Sequence, residues 1–452
     1  MKKVLLIFMI FIYCQSFAQN QYQYANGDYK NPIEITLKDA INLALQNNWD
    51  IKLSEKEIQK ANEQISEAYA NAFPRVDLKG NYTRNIKLPV MFLPPNTSFN
   101  PSDQVVTFEL GASNNWDASI TLSQVIYSQK VNTAIKIADE YAELSRVGNQ
   151  SVKNDVVMGV KKAFYGVLLM QELVKVSKQS YEVAKANYEN VSSMYKQGVA
   201  SEYDYLRAEV QLANTSPMLT QMENNFVMSQ NLLKNIMAID VQKPIIVKGE
   251  FVFDEPLSSV NSINNIVSVE TNPLLRQLEI QASLLDKNIT IEKSEYFPTL
   301  AAFGTYAYQT QDNTFKFKNY MWAESFMVGL SLQYTLFDGF RRSARIEQAT
   351  IDKDKVDLNK RKLEDGLKIR AIQAVNSMEE AKKRIKAQEK SLEQAEKTLK
   401  IAQSRFKNGV GTQLELIDGQ SALTMAKTNY AQAIYDYLSA KADWENVTAT
   451  QN

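Results

Sequence analysis

The chain states one pattern twice. Ala72-Phe73-Pro74, followed by Gly80 and Tyr82, returns as Tyr296-Phe297-Pro298, followed by Gly304 and Tyr306. Tyr195-Lys196-Gln197-Gly198-Val199 returns as Phe406-Lys407-Asn408-Gly409-Val410. Each copy holds two short alternating segments and one very long helical stretch. A tandem repeat of this kind argues for a symmetric, elongated assembly before it argues for any chemistry.

The alternating segments have one oily and one wet side. Val76, Leu78, Gly80, Tyr82, Ile86 and Leu88 alternate with Arg75, Asp77, Lys79, Asn81 and Thr83. Trp116, Ala118, Ile120 and Leu122 alternate with Asp117, Ser119, Thr121 and Ser123. The second copy repeats this with Leu300 to Tyr308 and with Phe326 to Leu336. Period two puts one side against an apolar medium and the other against water. Each run is about 10–13 residues, enough for a tilted strand to cross a bilayer. Trp116, Tyr127, Phe326 and Phe337 near the ends suit interfacial girdles. Alternation alone fits soluble hairpins on a core equally well. Four strands cannot close a barrel, and an open edge is not tolerated in lipid, so membrane strands would need several chains.

After Ser128 and Asp338, both good N-caps, helical sequence runs to Gly198 and Gly409. Each stretch is about 70 residues, or roughly 105 Å. The second carries Ala371, Met378, Ile385, Leu392, Leu399 and Phe406 at every seventh position, with mostly small residues between. The return segments keep this rule, for example Leu416, Leu423, Tyr430 and Tyr437 against Gly419, Ala426, Ala433 and Ala440. Bulky and small layers on a heptad predict antiparallel coiled-coil hairpins. Pro217 predicts a kink in the first return helix.

The boundaries that follow are a leader at 1–18, a first repeat at 19–239, an equatorial linker at 240–262 and a second repeat at 263–452. The first repeat has strands at 75–88 and 116–127, a long helix at 129–197 and a return helix at 202–238. The second has strands at 299–311 and 325–337, a long helix at 339–408 and a return helix at 413–447.

Lys2-Lys3, the apolar run Val4 to Tyr13 and Ser16-Phe17-Ala18 read as a secretory signal cleaved before Gln19. Cys14, the single cysteine, lies inside it, and the bulky Ile12-Tyr13 before it disfavours acylation. Without histidine the commonest general base and metal ligand are missing, so neither an enzyme nor a metal or cofactor site is expected. The 51 basic and 51 acidic residues give no reason to expect nucleic acid as a partner.

These pieces together resemble the TolC-like outer-membrane efflux protein family over essentially the whole mature chain. The resemblance is carried by the doubled Phe-Pro before a strand, by Leu336-Phe337-Asp338-Gly339 entering the second long helix, and by the doubled aromatic-x-x-Gly turn. It implies a mixed α/β, mostly α homotrimer in the outer membrane of a Gram-negative bacterium. A twelve-stranded barrel, four strands per chain, would continue into a helical periplasmic tunnel. The implied function is a passive exit duct of a tripartite efflux or secretion system, opened by a periplasmic adaptor and an inner-membrane transporter.

The family's adaptor-docking tips fall on Gly198, Val199, Ala200, Ser201 and on Gly409, Val410, Gly411, Thr412. Its constricting carboxylates fall on Asp204, Glu415 and Asp418. Spacing alone also fits solvated carboxylates at helix starts, where the dipole favours them. Where the family often carries a basic residue just after the second turn glycine, this chain has Gly411, so a latch ion pair there is absent or differently made. A periplasmic scaffold or adaptor without a pore is the alternative reading.

Overall fold

A computed structural model describes residues 32–253 and 269–450. The leader at 1–18, with Cys14, and the linker beyond 253 lie outside the described residues. The described chain divides into two compact units. One takes its described residues from 32–47, 159–253 and 381–438, the other from 48–158, 269–380 and 439–450.

In chain order the elements begin with β1 (Ile33–Ile35), α1 (Leu37–Asn47), α2 (Trp49–Ala70) and β2 (Arg75–Arg84). A small hairpin of β3 (Val90–Leu93) and β4 (Val106–Glu109) precedes β5 (Asn114–Tyr127). The first long helix, α3 (Gln129–Lys196), turns into α4 (Glu202–Ile236), and β6 (Ile245–Val247) follows. Next come α5 (Pro273–Ser294), β7 (Thr299–Asp312), β8 (Ala323–Gln333), the second long helix α6 (Arg341–Lys407) and α7 (Gln413–Thr448).

The second unit carries a four-stranded antiparallel sheet in the order β2-β5-β7-β8. Its register puts Leu78 beside Ile120, Ile120 beside Tyr306 and Tyr306 beside Phe326. One face therefore collects the apolar residues of all four strands. The other collects Asp77, Thr121, Thr305 and their neighbours, with Thr121 and Thr305 hydroxyls 3.1 Å apart. The apolar face lies open: Leu78 is 77% exposed and Leu330 72%. Among the described residues, β2 and β8 form the two unpaired edges.

Of the boundaries that differ from the sequence expectation, three have a visible cause. The first strand stops at Arg84, not 88, although alternation continues through Ile86 and Leu88. There Asn85 turns aside, its N–H on the Ser113 carbonyl and its side chain on Ala112, and the joining loop builds its own hairpin. The fourth strand stops at Gln333, not 337, because its partner β7 begins at Thr299, directly after Pro298, which has no N–H for a ladder. The second long helix starts at Arg341 because Gly339 and Phe340 both take a φ of 67°.

In the same unit, Val269, Leu275, Leu367, Ala371 and Val447 form one core cluster. At the entry to α6, the buried Arg342 donates to Asp338 Oδ2 (3.0 Å) and to the Glu295 carbonyl (2.9 Å). Its guanidinium lies 4.5 Å over the Tyr296 ring. This one side chain ties the end of α5 to the start of α6. At the entry to α3, a hydroxyl does the capping: Ser128 Oγ accepts from Val131 N–H.

In the first unit, α6 and α7 pack antiparallel along the heptad seam. Ala395, Leu399, Leu423 and Ala426 form its core, with Leu392 and Leu416 against it. A Cβ on Gly419 would meet Leu399 Cα at 3.3 Å, so the small layer lets the axes approach. α4 is continuous through Pro217, which removes an N–H but does not end the helix. The linker also contains a strand: β6 pairs in parallel with β1, burying Ile35, Ile245 and Val247.

Candidate functional site

The two hairpin tips lie in one unit and share a backbone. Gly198 and Gly409 both take a φ of 74°, the left-handed conformation that ends a helix and favours glycine. Val199 and Ala200 N–H both donate to the Met194 carbonyl, at 2.9 and 3.3 Å. Val410 and Gly411 N–H both donate to the Arg405 carbonyl, each at 3.0 Å. These bonds satisfy carbonyls that a helix end leaves bare. Val199 and Val410 then project from the turns, 69% and 68% exposed.

The side chains differ. At the first tip, Ser201 Oγ accepts from Asp204 N–H (3.1 Å) and donates to Asp204 Oδ2 (2.6 Å), capping α4. Behind it Tyr195 stacks on Tyr205 with ring centroids 5.2 Å apart, and the Tyr188 and Tyr205 hydroxyls lie 3.2 Å apart. The Tyr188 hydroxyl, and after it the charge of Glu209, push the Tyr205 phenol up to about 12.

At the second tip, Thr412 Oγ1 accepts from Glu415 N–H at 3.2 Å. The Glu415 carboxylate turns back to accept from Arg405 Nε at 3.2 Å, while Arg405 also reaches the Val410 carbonyl at 3.2 Å. A Cβ on Gly411 would meet Arg405 Cβ and Phe406 N at 2.8 Å. No side chain fits at 411 without a shift of backbone, and the cation of this tip comes from Arg405.

Glu415 and Asp418 stand exposed one turn apart on α7. Asp204 belongs to the first tip. Among the described residues its carboxylate bonds to Ser201, not to Glu415 or Asp418. Sequence reading missed Arg405 and the tyrosine cluster. The signal for Arg405 lay in comparing the copies, because Met194 holds its place in the first. Tyr188 and Tyr195 were legible only as bulky seam residues. Among the described residues no group of His, Cys, Asp or Glu could hold a metal ion.

Residues 40–238 and 268–449 match the model of the outer membrane efflux protein family. The chain belongs to that family. It is 21% identical to nodulation protein T of Rhizobium leguminosarum bv. trifolii, over 89% of this chain and 82% of that protein. It is also 21% identical to outer membrane protein TolC of Vibrio cholerae serotype O1, over 79% of this chain and 81% of the relative. Cation efflux system protein CusC of Escherichia coli O157:H7 is 19% identical over 95% of this chain and 92% of its own length.

The same fold is found in solved structures. The CmeC outer membrane channel of Campylobacter jejuni superposes with a TM-score of 0.71 at 16% identity, covering 92% of this chain and 87% of that one. VceC of Vibrio cholerae gives 0.69 at 14% identity, covering 91% and 95%. This efflux protein therefore has the fold of outer-membrane channels and is an outer-membrane protein of a Gram-negative bacterium. CmeC is an outer membrane channel. A scaffold or adaptor without a pore, the alternative from the sequence, is set aside by the same matches.

Proposed function

We propose that this efflux protein is a passive exit duct from periplasm to exterior, assembled as a homotrimer. One observation carries the proposal: a sheet with one apolar face, one polar face and two unpaired edges. An open sheet is not tolerated in lipid, and four strands cannot close on themselves. Three copies, joined β8 to β2, would close twelve strands, with Asp77, Lys79, Asp117, Ser119 and Thr305 toward the lumen. Among the described residues no helix is long and apolar enough to cross a membrane.

Energy would come from an inner-membrane transporter, coupled through a periplasmic adaptor that meets the turns at Gly198 to Ser201 and Gly409 to Thr412. Exposed Val199 and Val410 supply an apolar contact at each turn. Threefold symmetry would bring Asp204, Glu415 and Asp418 around one axis as a narrow acidic ring. Like charges so placed repel one another and draw cations.

The test is single-channel conductance in planar bilayers, wild type against Glu415→Ala/Asp418→Ala. Cation-selective steps that change in size or selectivity in the double variant support both the duct and the ring. Identical steps keep the duct and remove the ring. No steps from verified, inserted trimers would overturn the duct.

A further inference from the structure

The end of the sheet remote from the long helices carries a cluster that the duct does not use. On the apolar face, Tyr82 and Trp116 stack with centroids 4.3 Å apart. The loop between β7 and β8 folds back onto them. Phe315 meets Tyr82 at 6.0 Å, and Phe317 meets Trp116 at 5.4 Å. Farther along the loop, Trp322 stacks on Tyr308 at 4.8 Å with rings 4° from parallel. Tyr308 stands beside Ala118 in the register, on the same face as Tyr82 and Trp116. The rings therefore form one shelf at the external rim of the apolar face.

Cations are threaded through this shelf. The loop reads Phe315-Lys316-Phe317-Lys318. The Arg84 guanidinium, at the end of β2, sits 5.8 Å from the Phe315 ring. Two carboxylates border the shelf and keep their charge, Glu324 beside Tyr308 in the register and Asp312 at the end of β7, each turned to a neutral donor. Asp312 accepts from Thr314 N–H and Oγ1 at 2.6 and 2.7 Å, and Glu324 accepts the Tyr306 hydroxyl at 2.5 Å. Half of each of Phe315 and Phe317 remains exposed, and Met321 is 88% exposed. Aromatic rings at the rim of a lipid-facing sheet sit at headgroup depth, and cations there face headgroup phosphates.

We propose that this shelf binds the phosphorylated headgroup of an outer-leaflet lipid, with Arg84, Lys316 and Lys318 on the phosphates and Phe315 and Phe317 in the acyl–headgroup boundary. The occupant is assigned from continuity: the shelf prolongs the apolar strand face without a break, and that face belongs to a protein of the outer membrane. The inference rests on the membrane reading of those strands.

The test uses the full chain purified in detergent and titrated with lipid A carrying both phosphates or with its dephosphorylated form. Wild type should prefer the phosphorylated form by tenfold or more. Each cation removed, as in Lys316→Ser, should weaken that preference about fivefold, since a basic residue near an anionic surface contributes about 1 kcal/mol. Arg84→Ser/Lys316→Ser/Lys318→Ser should abolish the preference and leave bilayer conductance unchanged. Equal binding of the two forms by wild type, or an undiminished preference in both the single and triple variants, would overturn the proposal. So would competition by inorganic phosphate at equal concentration, which would mark a free-anion site. Cross-links at position 316 that join one trimer to another would assign the shelf to a second assembly instead. Wild type that fails to insert at all would sink the membrane reading, a failure distinguishable from loss of lipid preference.

Discussion

The two repeats build the same hairpin and fasten it with different chemistry. The first uses hydroxyls and rings without an ion pair: the Ser128 hydroxyl at the start of α3, and Ser201 on Asp204 with Tyr188, Tyr195 and Tyr205 at its far turn. The second uses arginines at both ends of α6, with Arg342 on Asp338 and Arg405 on Glu415. The backbones of the two turns agree to the same φ at Gly198 and Gly409. Fold symmetry thus leaves fastening free to diverge. The second hairpin's tip depends on an exposed ion pair, which salt weakens. The first tip has no ion pair among its fasteners, so salt should weaken it less.

The largest break in this comparison should come at the buried arginine. Arg342→Ala removes the buried counter-charge of Asp338, leaving it the backbone N–H of residue 342, and cuts the tie to the Glu295 carbonyl. Breaking one side of a buried pair costs about 3–5 kcal/mol. Ser128→Ala, which removes the cap at the same junction of the first repeat, should cost about 1 kcal/mol. Urea unfolding of both variants measures the ratio, and equal losses would show that the two junctions are alike after all.

A middle-sized effect should appear at the second turn. Gly411→Ala forces a Cβ onto the backbone of Arg405 and Phe406, an overpacking cost of about 1–3 kcal/mol. The first turn already carries Ala200 at the matching position. Limited proteolysis should therefore cut the second tip of the variant faster and leave the first unchanged.

The smallest effect is spectroscopic. Tyr188→Phe removes the hydroxyl that chiefly raises Tyr205, so the Tyr205 phenol should titrate closer to 10 than to about 12. An acid whose folded pKa is raised stabilises the fold below its unfolded value, and that contribution is lost as pH rises from 10 towards 12. Ultraviolet titration of wild type and variant should show the shift. Wild-type and Tyr188→Phe curves that coincide would mean that the two hydroxyls do not interact.

Much of this was legible in the chain. Alternation in Val76 to Tyr82 and heptads from Ala371 to Phe406 report the strand and helix directly, because backbone geometry imposes periods of two and 3.6. The same local logic carried the first strand too far, through Ile86 and Leu88, because alternation does not reveal where a partner strand ends. Arg405 gave no local signal: it faces Glu415 only because the chain turns back at Gly409.

By itself, then, the sequence determined the repeat, the element types, the two-faced strands and the turn glycines, since each follows from spacing along the chain. Only the tertiary structure decided the order β2-β5-β7-β8, the pairing of β1 with β6, the closeness that keeps Gly411 bare, and the return of the Phe315 loop onto Trp116. Those depend on which distant segments meet, and such contacts are selected by packing and hydrogen-bond satisfaction across the whole fold rather than by any local pattern.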